Sequence, residues 1–162
     1  MANFKALVVY YSRSGTTARI AQQIASELNA DLEHISEDKG RGGALGYLRS
    51  AIQARKMRTP DIHVTRHEPS QYDLVVVGTP VWAWSVSAPI RTYLTQNAAK
   101  LRSVAFFCTC EATGAERALN QMEAIVGKAP IAMFASDQRR ASEGPARITA
   151  FVKEIEARMA QW

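Results

Sequence analysis

Four runs of consecutive apolar residues constrain the fold of this chain more than any other feature of its sequence. They cover residues 6–11, 74–78, 104–109 and 131–135, and a fifth, shorter and more polar run covers residues 31–35. Strands that are apolar on both faces are typical of a parallel sheet covered by helices on both sides, whereas an alternating strand suits an edge. The sequence therefore predicts five parallel strands, with residues 31–35 at an edge.

Segments with helical periodicity lie between these strands. Apolar residues recur at helical spacing in residues 16–28, 88–94, 115–126 and 148–159. An alternation of strands and helices is typical of an α/β fold in which helices pack on both faces of a parallel sheet. A chain of 162 residues is long enough to bury a core without disulfides or metals. We predict one domain over residues 1–162, an α/β three-layer doubly wound sandwich.

The segment between the second and third strands departs from this alternation. Residues 40–60 begin as a glycine-rich loop and continue with Leu45, Leu48 and Ile52 at helical spacing, which predicts a helix over one sheet face. Residues 39–60 contain six basic residues and no acidic one, so the net charge of +5 is concentrated there. A nucleic-acid-binding protein more often spreads its charge over a face, so we expect no nucleic acid partner. The basic residues either form a solvated helix face or attract an anionic partner.

Other features favour a cytoplasmic protein without membrane or metal partners. The first five residues lead straight into an apolar strand without a signal peptide's long apolar core, and no apolar stretch approaches the roughly 20 residues that span a bilayer. Cys108 and Cys110 are next-but-one neighbours at a predicted strand, and we expect no disulfide between them. The three histidines show no metal-ligand spacing with these cysteines, and we predict no metal site.

Three loops at the carboxyl ends of the predicted strands contain the candidate functional residues, because ligands of open α/β sheets bind at that edge. The loop after the first strand precedes a helix and contains Ser12, Arg13, Ser14, Gly15, Thr16 and Thr17. Hydroxyl groups, backbone N–H groups and the positive end of a helix dipole bind dianionic phosphates. The alternative is an ordinary helix N-terminus with spare hydroxyl groups.

The same loop excludes several functions that this architecture supports. Tyrosine phosphatases and arsenate reductases of the low-molecular-weight type need a cysteine nucleophile in this turn, which contains none. A response-regulator receiver needs an acidic pair near the end of the first strand, where this chain has Tyr10 and Tyr11. The Gly-x-Gly-x-x-Gly pattern for dinucleotides is also absent. None of these functions is therefore predicted.

The other two loops could contact a flat ligand. The loop after the third strand contains Trp82 and Trp84, and an indole is a flat apolar surface on which a planar heteroaromatic ligand can stack. The alternative is a hydrophobic plug that closes the end of the sheet. The loop after the fourth strand, residues 108–114, could hydrogen-bond the polar edge of a ring system through its backbone.

In order and in spacing, the three loops together resemble those of the flavodoxin-like family, and the resemblance extends along nearly the whole chain. It implies a flavodoxin-like fold with strand order 2-1-3-4-5 and one non-covalently bound FMN. The first loop resembles the family's phosphate loop, S/T-x-S/T-G-N/T-T, which implies that residues 12–17 hold the FMN phosphate. The second is similar to the loop along the ribityl chain and one isoalloxazine face, which implies contacts from Thr79, Pro80, Val81, Trp82, Ala83 and Trp84. The third stands at the position of the second ring-binding loop, which implies contacts from Cys108, Thr109, Cys110, Glu111 and Gly114.

Three features depart from the family pattern. Arg13 adds a positive charge to the phosphate loop, and Glu111 stands where related proteins often have glycine. The basic segment at residues 40–60 resembles an insertion after the second strand that a subset of flavodoxin-like proteins has. Acidic electron-carrier flavodoxins generally lack this insertion, so it separates the chain from them.

The charge of the chain favours one of the functions that FMN supports. Negative charge around the ring of an acidic carrier disfavours the reduced flavin anion, whereas a nearby positive segment stabilises it and favours two-electron transfer. We therefore predict an FMN-dependent oxidoreductase in which NAD(P)H reduces a quinone or similar acceptor, with FMN rather than a side chain carrying the chemistry. A single-electron carrier that docks on a redox partner protein and a non-redox binding module are the alternatives. The chain contains no recognisable nicotinamide-binding motif, and a dimer is one of the oligomeric states left open.

Overall fold

The parallel sheet at the centre of the molecule has the predicted strand order. The computed structural model describes residues 3–37, 48, 62–63, 65–111 and 113–162. Within them, the strands are β1 (Ala6–Tyr10), β2 (Asp31–His34), β3 (Leu74–Trp82), β4 (Ser85–Val86), β5 (Ser103–Cys110) and β6 (Met133–Asp137). The five parallel strands lie in the order β2-β1-β3-β5-β6, and β4 pairs antiparallel with the end of β3. Because β4 is an added short strand, this is the predicted 2-1-3-4-5 order, which is confirmed.

Helices cover both faces of the sheet. The described α-helices are α1 (Thr16–Leu28), α2 (Ala88–Asn97), α3 (Ala115–Val126) and α4 (Gly144–Met159). Short 3₁₀ helices occur at Pro69–Gln71, Ala98–Lys100 and Gln138–Glu143. Helices α1 and α4 pack on one face of the sheet, and α2 and α3 pack on the other. This arrangement confirms the predicted three-layer α/β sandwich.

Side chains of the central strands alternate between the two cores. Val8, Val76 and Phe107 face α1 and α4 and are fully buried, and the residues that precede them in sequence face α2 and α3. The burial of both faces explains why these strands are continuous apolar runs in the sequence. Gly78 makes room for the ring of Phe107, because a β carbon at position 78 would lie 2.0 Å from Phe107 Cζ.

A buried carboxylate holds the chain segment before β3 against β2. Within the described residues, β2 has β1 as its one strand neighbour, so its other edge lacks a ladder partner. The Glu33 carboxylate accepts hydrogen bonds from the backbone N–H groups of Arg66 (3.0 Å) and His67 (3.1 Å), and it also contacts Nδ1 of His67. The Tyr72 hydroxyl donates to Asp31 Oδ2 over 2.6 Å. These contacts cover an edge that could otherwise pair with another chain.

Element boundaries differ from the predicted ones mainly at the ends of elements. Strand β3 continues past Gly78 to Trp82, because its last residues pair with both β5 and β4. Helix α2 continues to Asn97, and α4 begins at Gly144. The predicted loop and helix at residues 40–60 lie outside the described residues, apart from Leu48, which is helical and exposed. None of the described helices is both long enough and apolar enough to cross a bilayer.

Candidate functional site

A cavity of about 510 Å³ opens at the carboxyl ends of β1, β3 and β5. All three loops singled out in the sequence contribute to its lining, through Arg13, Ser14, Thr16, Thr17, Pro80, Val81, Trp82, Ala83, Trp84, Thr109, Cys110 and Glu111. Its volume lies within the range of pockets that bind cofactor-sized ligands. The parallel topology brings these residues together, because it places the carboxyl ends of these strands at one edge of the sheet.

Five predicted residues are not among those that line the cavity: Ser12, Gly15, Thr79, Cys108 and Gly114. The buried hydroxyl of Thr79 accepts a hydrogen bond from the Ser87 N–H over 3.0 Å, which fixes the end of β3 to the start of α2. Cys108 is fully buried in the core, and burial raises the pKa of its thiol to about 12. These two side chains support the shape of the cavity from below.

The first loop turns tightly into the start of α1. The Ser12 hydroxyl accepts a hydrogen bond from the Gly15 N–H over 3.1 Å, and Gly15 has φ 97°, in the left-handed region that favours glycine. The hydroxyl oxygens of Ser14 and Thr16 lie 3.5 Å apart. Among the described residues, no side chain caps α1 at this turn. The N–H groups of the first helical turn therefore suit an anionic ligand.

A buried hydrogen bond links the first loop to the third. The hydroxyl oxygens of Thr17, in the first turn of α1, and Thr109, near the end of β5, lie 2.8 Å apart. Both residues are almost fully buried, with exposed fractions of 2% and 5%. The floor of the cavity is thereby fixed between two elements that are far apart in sequence.

The second loop is a β-hairpin rather than an irregular loop. Ala83 and Trp84 form a two-residue turn between β3 and β4, with φ values of 47° and 61°. Positive φ at both positions is typical of the type I′ turn that matches strand twist, and it usually requires glycine or asparagine. The backbone at the cavity is therefore strained, because alanine and tryptophan adopt left-handed φ values there. Such strain is common at functional sites.

The two tryptophans of this hairpin have different roles. Trp82 belongs to β3, is 6% exposed and packs edge-on against Tyr11, with ring centroids 5.3 Å apart. Trp84 is 54% exposed, and its Nε1 donates to Thr113 Oγ1 over 2.9 Å. Both line the cavity, but Trp84 has the larger indole surface available to a ligand. The alternative of a hydrophobic plug therefore fits Trp82 better than Trp84.

The third loop packs directly against the hairpin turn. Gly114 has φ 95°, and a β carbon there would lie 2.8 Å from Trp84 Cα and 3.0 Å from Val81 Cγ1. In the same loop, Cys110 is 7% exposed, and burial raises the pKa of its thiol. Cys110 is therefore a small buried side chain in the cavity wall rather than a reactive thiolate.

Two residues that line the cavity are not among the predicted site residues: Thr113 and Gln138. Thr113 lies within the third predicted loop, and a hydroxyl group in that loop was the available signal. Gln138 follows β6, whose pairing with β5 brings it to the cavity. Nothing in the local sequence distinguishes it from other polar residues.

Charges of both signs surround the cavity. Among its described lining residues, Arg13 and Glu111 are the charged ones, and both are exposed. Nearby, Arg139 hydrogen-bonds the Asp137 carboxylate, with Nη2 2.7 Å from Oδ2, and lowers the pKa of that carboxyl to about 2. Within the described residues, no group of histidine, cysteine and acidic side chains could hold a metal ion.

Solved structures of other proteins share this fold. A flavoprotein from Lactobacillus acidophilus NCFM, crystallised in complex with FMN, is 26% identical, with a TM-score of 0.73 over 89% of this chain and 98% of its own. A protein from Bacteroides eggerthii DSM 20697 is 23% identical, with a TM-score of 0.78 over 96% of this chain and 99% of its own. The flavodoxin of Fusobacterium nucleatum, solved with flavin mononucleotide bound, is 12% identical, with a TM-score of 0.60 over 95% of this chain and 98% of its own. The likeness to the last two concerns the fold alone.

Sequence comparison identifies the family. A search of curated proteins finds no match. The family model for flavodoxin matches residues 5–134, a span that contains all three loops of the cavity. The family model covers most of this chain, and the fold and the position of the cavity agree with it, so this chain belongs to the flavodoxin family.

Proposed function

We propose that this chain binds one FMN in the cavity at the carboxyl ends of β1, β3 and β5 and acts as an NAD(P)H-dependent reductase of a quinone or similar acceptor. The chain is a flavodoxin-like FMN-binding protein, as its family membership implies. When bound, FMN supplies the redox chemistry, because its ring accepts electrons from one molecule and passes them to another. The protein's part is to hold, orient and electrostatically tune that ring.

The first loop is the proposed phosphate site. Ser14 and Thr16 bring hydroxyl groups to the lining, and Arg13 adds a positive charge. The start of α1 contributes the positive end of its dipole and, among the described residues, has no side-chain cap that would compete with a ligand. This combination of donors and positive charge suits a dianionic phosphate.

The hairpin turn and the third loop are the proposed ring site. Trp84 offers a half-exposed indole, and its hydrogen bond to Thr113 fixes the orientation of that indole. The close contact at Gly114 keeps the two loops together without a side chain between them. A flat apolar surface in the wall of the cavity suits an isoalloxazine ring.

One observation carries the choice of a two-electron reductase: the described cavity lining has no excess of acidic residues. Arg13 balances Glu111, and the Asp137 carboxylate is paired with Arg139. Without a surplus of negative charge, the reduced flavin anion is less disfavoured than in an acidic carrier. The two electrons are then expected to enter together rather than in two separated steps.

An anaerobic reductive titration tests this proposal. FMN-loaded protein is titrated separately with NADPH, NADH and dithionite, and flavin absorbance is followed. We expect direct bleaching by NADPH or NADH, without accumulation of a one-electron species in the dithionite titration. A screen of quinones as acceptors under steady-state turnover then defines the substrate class.

The opposite result would favour a single-electron carrier. The half-exposed indole of Trp84 at the cavity rim supports this second candidate, since an exposed aromatic group beside a cofactor can form part of a docking surface. No reaction with either nicotinamide, combined with a stable one-electron species under dithionite, would replace the reductase with the carrier. Purified protein that is colourless and takes up no added FMN would instead support a non-redox binding module.

A further inference from the structure

The hydroxyl groups of Thr17 and Thr109 form a buried pair that connects the first loop to the end of β5. The two oxygens lie 2.8 Å apart, and both residues line the cavity. Among the described residues, neither hydroxyl has another hydrogen-bond partner. The pair therefore shares a single hydrogen bond, and one of its two protons remains for a ligand.

When an anion is bound, hydrogen-bond chemistry determines which of the two hydroxyl groups has its proton available for that anion. A threonine hydroxyl has one donor and two acceptor lone pairs. If Thr17 donated to Thr109, the oxygen of Thr17 would present only lone pairs to a phosphate in the first loop, and lone pairs repel an anion. If Thr109 donates to Thr17, the proton of Thr17 is free to donate to that phosphate.

We infer that Thr109 is a positioning residue, whose hydroxyl donates to Thr17 Oγ1 and thereby directs the Thr17 proton toward the FMN phosphate. The inference rests on the proposed function and deepens it. Donation from Thr109 also polarises the Thr17 hydroxyl, because hydrogen bonds in a chain strengthen one another in a buried environment. Thr109 thus lies on β5, which leads into the proposed ring site, but acts on the phosphate end of the cofactor.

Binding of two flavins to the apoprotein tests this assignment. FMN and riboflavin differ in the phosphate, so a residue that acts through the phosphate affects FMN alone. The substitution T109V removes the hydroxyl and keeps the shape of the side chain, and T109S keeps the hydroxyl. We expect T109V to raise the Kd for FMN about fivefold, as for the loss of one hydrogen bond in a chain that ends on a charged group, and to change the Kd for riboflavin less than about twofold. T109S is expected to restore FMN binding.

A double-mutant cycle separates action through Thr17 from any direct contact. If Thr109 acts only through Thr17, T109V has no further effect on FMN affinity in a T17V background. Inorganic phosphate gives a probe without a ring: it should raise the thermal midpoint of the wild-type apoprotein more than that of T109V. Far-UV circular dichroism verifies that each variant is folded.

Two results would overturn the inference and leave the proposed function standing. Equal weakening of FMN and riboflavin by T109V would mean that Thr109 acts on the ring or on the fold. Unchanged FMN affinity in T109V, with normal affinity in the wild type, would mean that the hydroxyl pair does not orient Thr17. Failure of the wild-type protein to bind FMN at all would overturn both proposals.

Discussion

The backbone of Trp84 lies so close to Gly114 that a β carbon at position 114 would stand 2.8 Å from Trp84 Cα. The contact joins the hairpin turn to the loop after β5, and both line the cavity. Since the neighbouring atom is backbone, it cannot rotate away as a side chain can. The geometry of the proposed ring site therefore requires that residue 114 has no side chain.

The substitution Gly114→Ala should destabilise the protein by about 1–3 kcal/mol, because alanine must adopt φ 95° and also displace the hairpin turn. Gly127→Ala is the matched control, since Gly127 also follows a left-handed path at a helix end, with φ 75°, but has open space around it. Urea unfolding should show a smaller loss for this control, about 1 kcal/mol. Equal losses in the two variants would contradict the role of the contact.

Gly15→Val should weaken FMN binding. The space around Gly15 is open within the described protein, so the cost comes from φ 97° and from disturbance of the turn that Ser12 stabilises. Fluorescence titration of the apoprotein with FMN measures the effect, and an unchanged affinity would show that the phosphate site lies elsewhere.

The two tryptophans should separate ligand binding from folding. Trp84→Ala is expected to weaken FMN binding by about 1–3 kcal/mol with little loss of stability, because the indole is half exposed. Trp82→Ala should destabilise the fold by about 3–5 kcal/mol, because it empties a buried site against Tyr11. Chemical denaturation and flavin titration of both variants test the contrast, and an unaltered flavin spectrum and affinity in Trp84→Ala would count against stacking.

The ion pair beside the cavity makes a pH-dependent contribution. Arg139 lowers the pKa of Asp137 to about 2, below the value of about 3.9 for an unfolded chain. The pair therefore stabilises the folded state above about pH 4 and loses this effect as the pH falls toward 2. Unfolding of wild type and Arg139→Gln, compared from pH 5 to pH 2, should show a difference at pH 5 that shrinks on acidification. A constant difference would mean that the pair does not titrate in this range.

Features with a local cause were predictable from the sequence. Strands β1, β3 and β5 are apolar on both faces because helices cover both faces, and that burial leaves a continuous apolar run. The first loop was also predictable from the sequence, because its hydroxyl groups and Gly15 lie within six consecutive residues.

Features that depend on long-range pairing were not predictable. Trp82 and Trp84 looked equivalent in the sequence, and only the pairing of β4 with β3 buries one and exposes the other. Gln138 reaches the cavity through the register between β5 and β6. The hydrogen bonds that the Glu33 carboxylate accepts from the backbone before β3 likewise join two parts of the chain that no local pattern connects.

Because Ala83 and Trp84 both have left-handed φ values, selection for thermostability and selection for ligand binding favour different residues in this turn. Glycine at position 83 would relieve backbone strain, so a screen for heat resistance should favour that variant. The same replacement would widen the range of orientations open to the neighbouring indole, whose position the present turn restricts. A chain optimised only for melting temperature would therefore drift away from its present cavity geometry.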